Sequence, residues 1–176
     1  MKQKKIVLIR SLWRKRVFEK ELDKRLSSKR LDTSFKIKKV AIIVDPNNHI
    51  ESKFFLDFAN DFNILEVKIS ILKLSNFPKS DNQFDQIFNL NDLNYWSNFK
   101  GDLLNFCETD YDLLINYYNI NDTLYSLIST RTKQKLSVGF SGADPRINDL
   151  IFDFDPKDRL IFKSELIKYL TILNKI

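Results

Sequence analysis

Cysteine, histidine, glycine and proline are all scarce in this chain. Its 176 residues include one Cys, one His, three Gly and four Pro. The lone Cys107 excludes an internal disulfide and a thiolate metal cluster, and fits a reducing compartment. With His49 the single imidazole, a zinc site of the usual Cys/His type is excluded too. The first strand-to-helix turn has no glycine, so neither dinucleotide nor Walker-type phosphate loops are present. There is no G-x-S-x-G elbow for a hydrolase. No stretch approaches the roughly 18 apolar residues of a membrane span. Ile6–Ile9 is too short for the apolar core of a secretory signal, which needs about 7–15 residues. These absences predict a cytoplasmic protein, and the sequence implies no metal and no cofactor.

Aromatic surface is plentiful. Fifteen Phe, six Tyr and two Trp supply a large apolar area, and the length suits one domain with a full core. The net charge of +6 conceals a split. Residues 1–39 carry 15 basic and 4 acidic side chains, whereas the remainder carries 14 basic and 19 acidic. A mildly acidic domain with a basic arm is the pattern expected where the partner is an anion. We place the basic N-terminal helix or arm at 1–34 and a single α/β domain at 35–176.

Residues 3–30 lack Gly and Pro and read as a helix. Val7, Leu8, Leu12, Phe18, Leu22 and Leu26 fall on one stripe, and Ile6, Ile9, Trp13 and Val17 on the other side. Ser27, Ser28 and the polar run to Ser34 predict a break. Val40–Val44 and Asp112–Tyr118 are apolar on consecutive residues, the pattern of strands buried on both faces of a parallel sheet. Asp112–Tyr118 is the expected centre. Phe54, Phe55, Phe58 and Phe62 predict an aromatic helix face within 50–62. Leu65, Val67, Ile69 and Ile71 alternate and predict a strand over 65–74. A short strand over 84–88, a loop holding Tyr95 and Trp96, and a helix over 102–107 follow. Asp122 or Thr123 caps a helix to about Thr132. Strands over 135–140 and 149–154 precede a last helix, 156–173, lined by Leu160, Ile161, Leu166, Ile167, Leu170 and Leu173. This alternation predicts a three-layer α/β fold, Rossmann-like or flavodoxin-like, with a mainly parallel sheet.

In such sheets ligands sit beyond the carboxyl ends of the strands. Asp45, Asn48, Asn116 and Ser141 are the candidate ligand-binding residues there, although turns use the same residue types. A nest at Ser141-Gly142 and a general base at His49 are the remaining options. The acid pairs Asp110/Asp112 and Asp153/Asp155 read as strand ends. The basic arm is the strongest feature outside the core. Trp13, Arg14, Lys15, Arg16, Lys24 and Arg25, followed by Lys29-Arg30, are the candidate contacts to an anionic partner.

The runs Asp112-Leu-Leu-Ile-Asn-Tyr-Tyr118, Leu136-Ser-Val-Gly-Phe-Ser141 and Asn148-Asp149-Leu150-Ile151, with the ending Phe162–Ile176, resemble a family of small Bacteroidota proteins classed as a domain of unknown function. That resemblance implies a bacterial protein and no catalytic residues. A fold-level likeness to the N-terminal half of heptosyltransferase-like glycosyltransferases rests on the Asp-Leu-Leu-Ile strand and the later Val-Gly strand. The second, nucleotide-binding domain of those enzymes is absent here. The leading functional expectation is a non-enzymatic interaction module that uses the basic helix to bind RNA or a ribonucleoprotein. The alternatives are a nucleotide or sugar-phosphate binding protein or enzyme using the strand-end crevice, and a membrane-surface or protein-docking module.

Overall fold

The fold is taken from a computed structural model. It describes residues 2–28, 34–74, 85–88, 92–94 and 97–176, with backbone alone for 2–8, 28 and 85–87. The expectations for Lys29–Thr33, Phe84, Tyr95, Trp96 and the side chains of Ile6, Val7, Leu8 and Ser28 lie outside the described residues or atoms.

Six strands form one sheet: β1 (Val40–Val44), β2 (Ile69–Leu74), β3 (Asp85–Phe88), β4 (Tyr111–Tyr117), β5 (Gln134–Phe140) and β6 (Leu150–Phe152). They lie in the order β3-β2-β1-β4-β5-β6. Every neighbouring pair is parallel. That order, doubling back between β1 and β4, is the doubly wound Rossmann arrangement and not the flavodoxin one. β4 sits between β1 and β5, with Leu113 opposite Val40 on one side and Leu136 on the other.

The continuous apolar strands divide residue by residue between two cores. Val40, Ile42 and Val44 of β1, with Leu113, Ile115 and Tyr117 of β4, enter one cluster. Ala41 and Ile43, with Leu114 and Tyr118, enter the other. The first cluster is covered by α2 (Ser52–Leu56), α3 (Phe58–Asp61) and α6 (Arg159–Ile172). The second is covered by α1 (Lys2–Ser28), α4 (Gly101–Glu108) and α5 (Thr123–Arg131). Asp122 caps α5, its carboxylate accepting from Leu124 N at 2.7 Å and Tyr125 N at 3.2 Å. Asp112 marks the strand boundary. It accepts from the backbone N–H of Lys38 and Lys39 and pairs with Lys135 Nζ at 2.9 Å.

Three periodicity readings need correction. β2 begins at Ile69, and Leu65 and Val67 lie on a 3-10 turn, 68% and 69% exposed. Their alternation does not extend the strand. On α6, Phe162, Leu166 and Leu170 face the core, while Leu160, Ile161 and Leu173 are exposed. Phe162 in the first turn is fully buried, and at 100° per residue Leu160 and Ile161 point away from it. On α1 the docked side chains are Phe18 and Leu22, with Val17 packed beside them, while Leu12 and Leu26 are exposed. A 27-residue helix is longer than the surface that receives it.

Candidate functional site

The carboxyl-terminal edge of the sheet holds the four ligand candidates, each engaged with neighbours of its own. Asp45 is buried and caps the turn after β1, its Oδ1 accepting from Asn47 N at 3.0 Å and Asn47 Nδ2 at 2.9 Å. Asn48 Nδ2 donates to the Tyr117 carbonyl at 3.1 Å, laying this turn over the end of β4. Asn116 is fully buried. Its Nδ2 donates to Asn148 Oδ1 at 2.7 Å, and its Oδ1 accepts from Ser129 Oγ at 2.7 Å. Ser141 Oγ donates to Asp153 Oδ1 at 2.6 Å. The backbone N–H of Gly142 donates to Asn119 Oδ1 at 2.6 Å, so the Ser141-Gly142 nest already holds a side chain of the protein. His49 is exposed in the left-handed region (φ 47°), and its carbonyl accepts from Arg159. The structure places Asp45, Asn48, Asn116 and Ser141 at one edge with four separate sets of partners.

Beneath α1 runs a buried polar seam. Tyr118 OH lies 2.7 Å from Ser129 Oγ, and burial raises this phenol above its ordinary range. Gly139 pairs in register with Asn116, and a Cβ there would stand 2.5 Å from Asn148 Nδ2. Arg25 reaches into the seam from α1. Its Nη2 donates to Ser137 Oγ at 3.2 Å and to the Ile147 carbonyl at 3.3 Å, and its Nη1 to the Ser129 carbonyl at 3.4 Å. Burial draws this guanidinium below its ordinary value, against the opposing pull of Asp149. Arg25 thus anchors the helix to the domain instead of facing outward with the other arm cations.

A second tie lies one side over. Arg146, in the β5–β6 connection, holds Glu19 of α1 with two bonds of 2.8 and 3.1 Å, and Asp144 with bonds of 2.7 and 3.0 Å. The Arg146 hydrogen bonds keep both carboxyls below their ordinary range.

Docking through Phe18, Leu22 and Arg25 decides what remains outside. Ile9, Trp13, Arg16, Lys20 and Lys24 fall within about 80° of one another on the opposite side of the helix, at 100° per residue. Ile9 is 52% and Trp13 39% exposed, and Arg16, Lys20 and Lys24 are exposed as well. Lys15 and Arg14 fall off this stripe, within about 60° of Phe18 on the wheel, Lys15 exposed and Arg14 half-buried. Lys20 belongs to this surface, and composition alone did not single it out. Its place on the helical wheel relative to Trp13 and Arg16 was the available signal.

One cavity of about 580 Å³ opens at the other edge of the sheet, where α4 and α5 end and β5 begins. Lys24, Arg25, Arg131 and Lys133 contribute cations to it, and Glu21 and Glu108 contribute carboxylates. Arg131 Cζ lies 4.6 Å over the Phe99 ring centre, with Nη1 donating to the Ser97 carbonyl at 2.6 Å and Nη2 3.4 Å from Glu21. Cys107 lines the floor. Burial pushes its thiol up to about 11, against a hydrogen bond from Thr132, so it is a packed thiol at neutral pH and no nucleophile. Sequence reading missed this cavity because four separated segments build it, and none carries a motif. Among the described residues, no group of three or more His, Cys, Asp and Glu is placed to hold a metal ion. No helix there is long and apolar enough to cross a membrane.

Fold and surface together define a single parallel α/β sheet of doubly wound order, carrying a basic helix on one face. The chain belongs to the family described as "Family of unknown function (DUF6913)", which matches residues 10–173 and so takes in most of α1 together with the whole sheet. No curated protein matches the chain, and no solved structure does.

Proposed function

We propose that this protein is a non-enzymatic interaction module that binds RNA along the outward face of α1, free or within a ribonucleoprotein. The observation that carries this reading is the stripe Ile9, Trp13, Arg16, Lys20 and Lys24. Its cations are exposed, and its indole is presented in part. Phosphates supply most of the affinity in sequence-independent RNA binding, and aromatic rings supply stacking for unpaired bases. The stripe offers both at helical spacing. The domain supplies a rigid mount, because Phe18, Leu22 and Arg25 fix the rotation of the helix and so decide which side faces solvent. Arg25 is part of that mount, and the outward contacts fall to Trp13, Arg16, Lys20 and Lys24, with Lys15 and Arg14 off the stripe.

The test is binding of a single-stranded RNA to the full chain as salt is varied. Neutralising three phosphates through Arg16, Lys20 and Lys24 gives a slope of log K against log salt of about −2. The double charge reversal Arg16→Glu/Lys20→Glu should abolish binding while leaving the fold intact, since both side chains are exposed. Trp13→Ala should weaken binding by about 1–3 kcal/mol if the indole stacks on a base. Deleting residues 1–30 is the poorer experiment, because it removes Phe18 and Leu22 from the core. Salt-independent binding, or binding that survives the double reversal, refutes the proposal. Flotation of the protein with anionic vesicles, but no RNA binding at low salt, would replace it with a membrane-surface role.

A further inference from the structure

We infer that the cavity between α1, α4 and α5 is a binding site for a small organic phosphate of about nucleoside-monophosphate size. Its volume of about 580 Å³ suits a small-molecule site, for which about 300–1,000 Å³ is usual. The site lies away from the outward stripe of α1, and it shares Lys24 alone with it.

The charge arrangement selects an anion. Arg131 is balanced by Glu21, and Arg25 is turned into the polar seam. That leaves Lys24 and Lys133 facing one carboxylate, Glu108. Neither lysine ammonium has a hydrogen-bond or ion-pair partner among the described residues. The ends of α4 and α5 also meet here, and helix C-termini attract cations. Arg131, in the last turn of α5, already serves that end. Lys24 comes from α1 and Lys133 from the loop beyond α5, so a phosphate held by both would add to the Arg131–Glu21 pair that already ties α1 to α5 here.

The remaining lining favours an organic body on that phosphate. The hydroxyls of Thr130 and Thr132 are bonded to the carbonyls of Ser126 and Ile128, so they do not add to anion recognition. Leu104 is 37% exposed and gives an apolar wall. The Arg131 guanidinium, 4.6 Å from the Phe99 ring centre and 18% exposed, is fixed in place and gives a planar group against which a ring can lie.

The experiment is a two-dimensional amide NMR titration of the full chain with three probes: AMP, adenosine and inorganic phosphate. AMP should give saturable shifts at residues 98–108 and 130–134, and bind more tightly than either half. Lys133→Glu should weaken AMP at least about tenfold, as expected for removal of a charge-assisted contact. Leu104→Glu, at an exposed position, should block the apolar wall and weaken AMP as well. Lys20→Glu, on the stripe and outside the cavity, should leave AMP binding unchanged. RNA binding should respond to Lys20→Glu and not to Lys133→Glu, so the two readings fail separately. Absence of saturable shifts with all three probes overturns the inference. So does AMP binding no tighter than phosphate, or AMP binding that is lost with Lys20→Glu and kept with Lys133→Glu.

Discussion

Replacing Leu22 by Ala tests whether α1 is part of the domain or an arm resting on it. Leu22 is fully buried and shares a cluster with Ala41 and Ile43 of β1 and with Leu114 and Tyr118 at β4. A buried Leu→Ala change costs about 2–5 kcal/mol, and a site between a helix and two central strands has little room to collapse. Taking about 3 kcal/mol, the melting temperature of a domain this size should fall by about 6–12 °C, at roughly 2–4 °C per kcal/mol. The assay is thermal unfolding followed by circular dichroism, paired with amide hydrogen exchange resolved along the chain. If α1 belongs to the cooperative unit, the amides of residues 18–26 and those of β1 and β4 lose protection together, by about two decades. If α1 detaches alone, its own amides exchange faster while the melting temperature stays put. That second result would refute the claim that the core extends into α1. It would also remove the reason for expecting the outward stripe to be fixed in direction.

Other perturbations follow from the same contacts. Arg146→Ala should cost about 1–3 kcal/mol, little of it from the partly exposed Glu19 pair and most from leaving the buried Asp144 carboxylate without its side-chain partner, and urea unfolding will measure it. Glu19 and Asp144 titrate below their ordinary range in the folded protein. The stability they add is present above the ordinary carboxylate range and lost as pH falls through their folded values, so Arg146→Ala should flatten the acid limb of a stability–pH profile. At the alkaline end, burial raises Cys107 from 9.0 to about 11 and raises Tyr117, Tyr118 and Tyr125 above 10.0. Stability should therefore decline from about pH 9 upward as the unfolded chain ionises first, and a melting series from pH 7 to 11 that stays level would contradict the burial of these groups. Asn116→Ala strips Asn148 of its partner, and should cost about 1–3 kcal/mol in a denaturant titration.

The sheet was legible because its strands carry a signal that survives without context. Val40–Val44 and Leu113–Ile115 alternate between two cores, and consecutive apolar residues are what that demands. The same holds for Asp122, whose capping role depends on three neighbouring residues. Readings failed where a residue's role depends on where another element ends. Leu65 and Val67 continue an apolar pattern past the surface that would cover them, and Leu160 lies on the side of α6 turned away from the buried Phe162. Arg25 looked like Lys24 in sequence, yet Arg25 enters the seam while Lys24 stays exposed beside the cavity, because helix rotation is set by Phe18 and Leu22. The cavity was illegible for a related reason: Lys24, Leu104 and Lys133 meet only after the whole sheet is assembled.

The crowding at Gly139 reaches beyond this one molecule. A methyl group there would collide with the Asn148 side chain at 2.5–2.8 Å, and Asn148 in turn is held by Asn116 on the central strand. Three positions on β4, β5 and the lead-in to β6 therefore share one small volume, and none can change size without another yielding. Across the family, these three sites should drift as a set: a larger residue at 139 calls for a smaller one at 148, and an apolar residue at 116 calls for the loss of both amides. Paired substitutions at 116 and 148 should then be tolerated better than either alone, and the history of the fold would be written as correlated change at one interior polar contact.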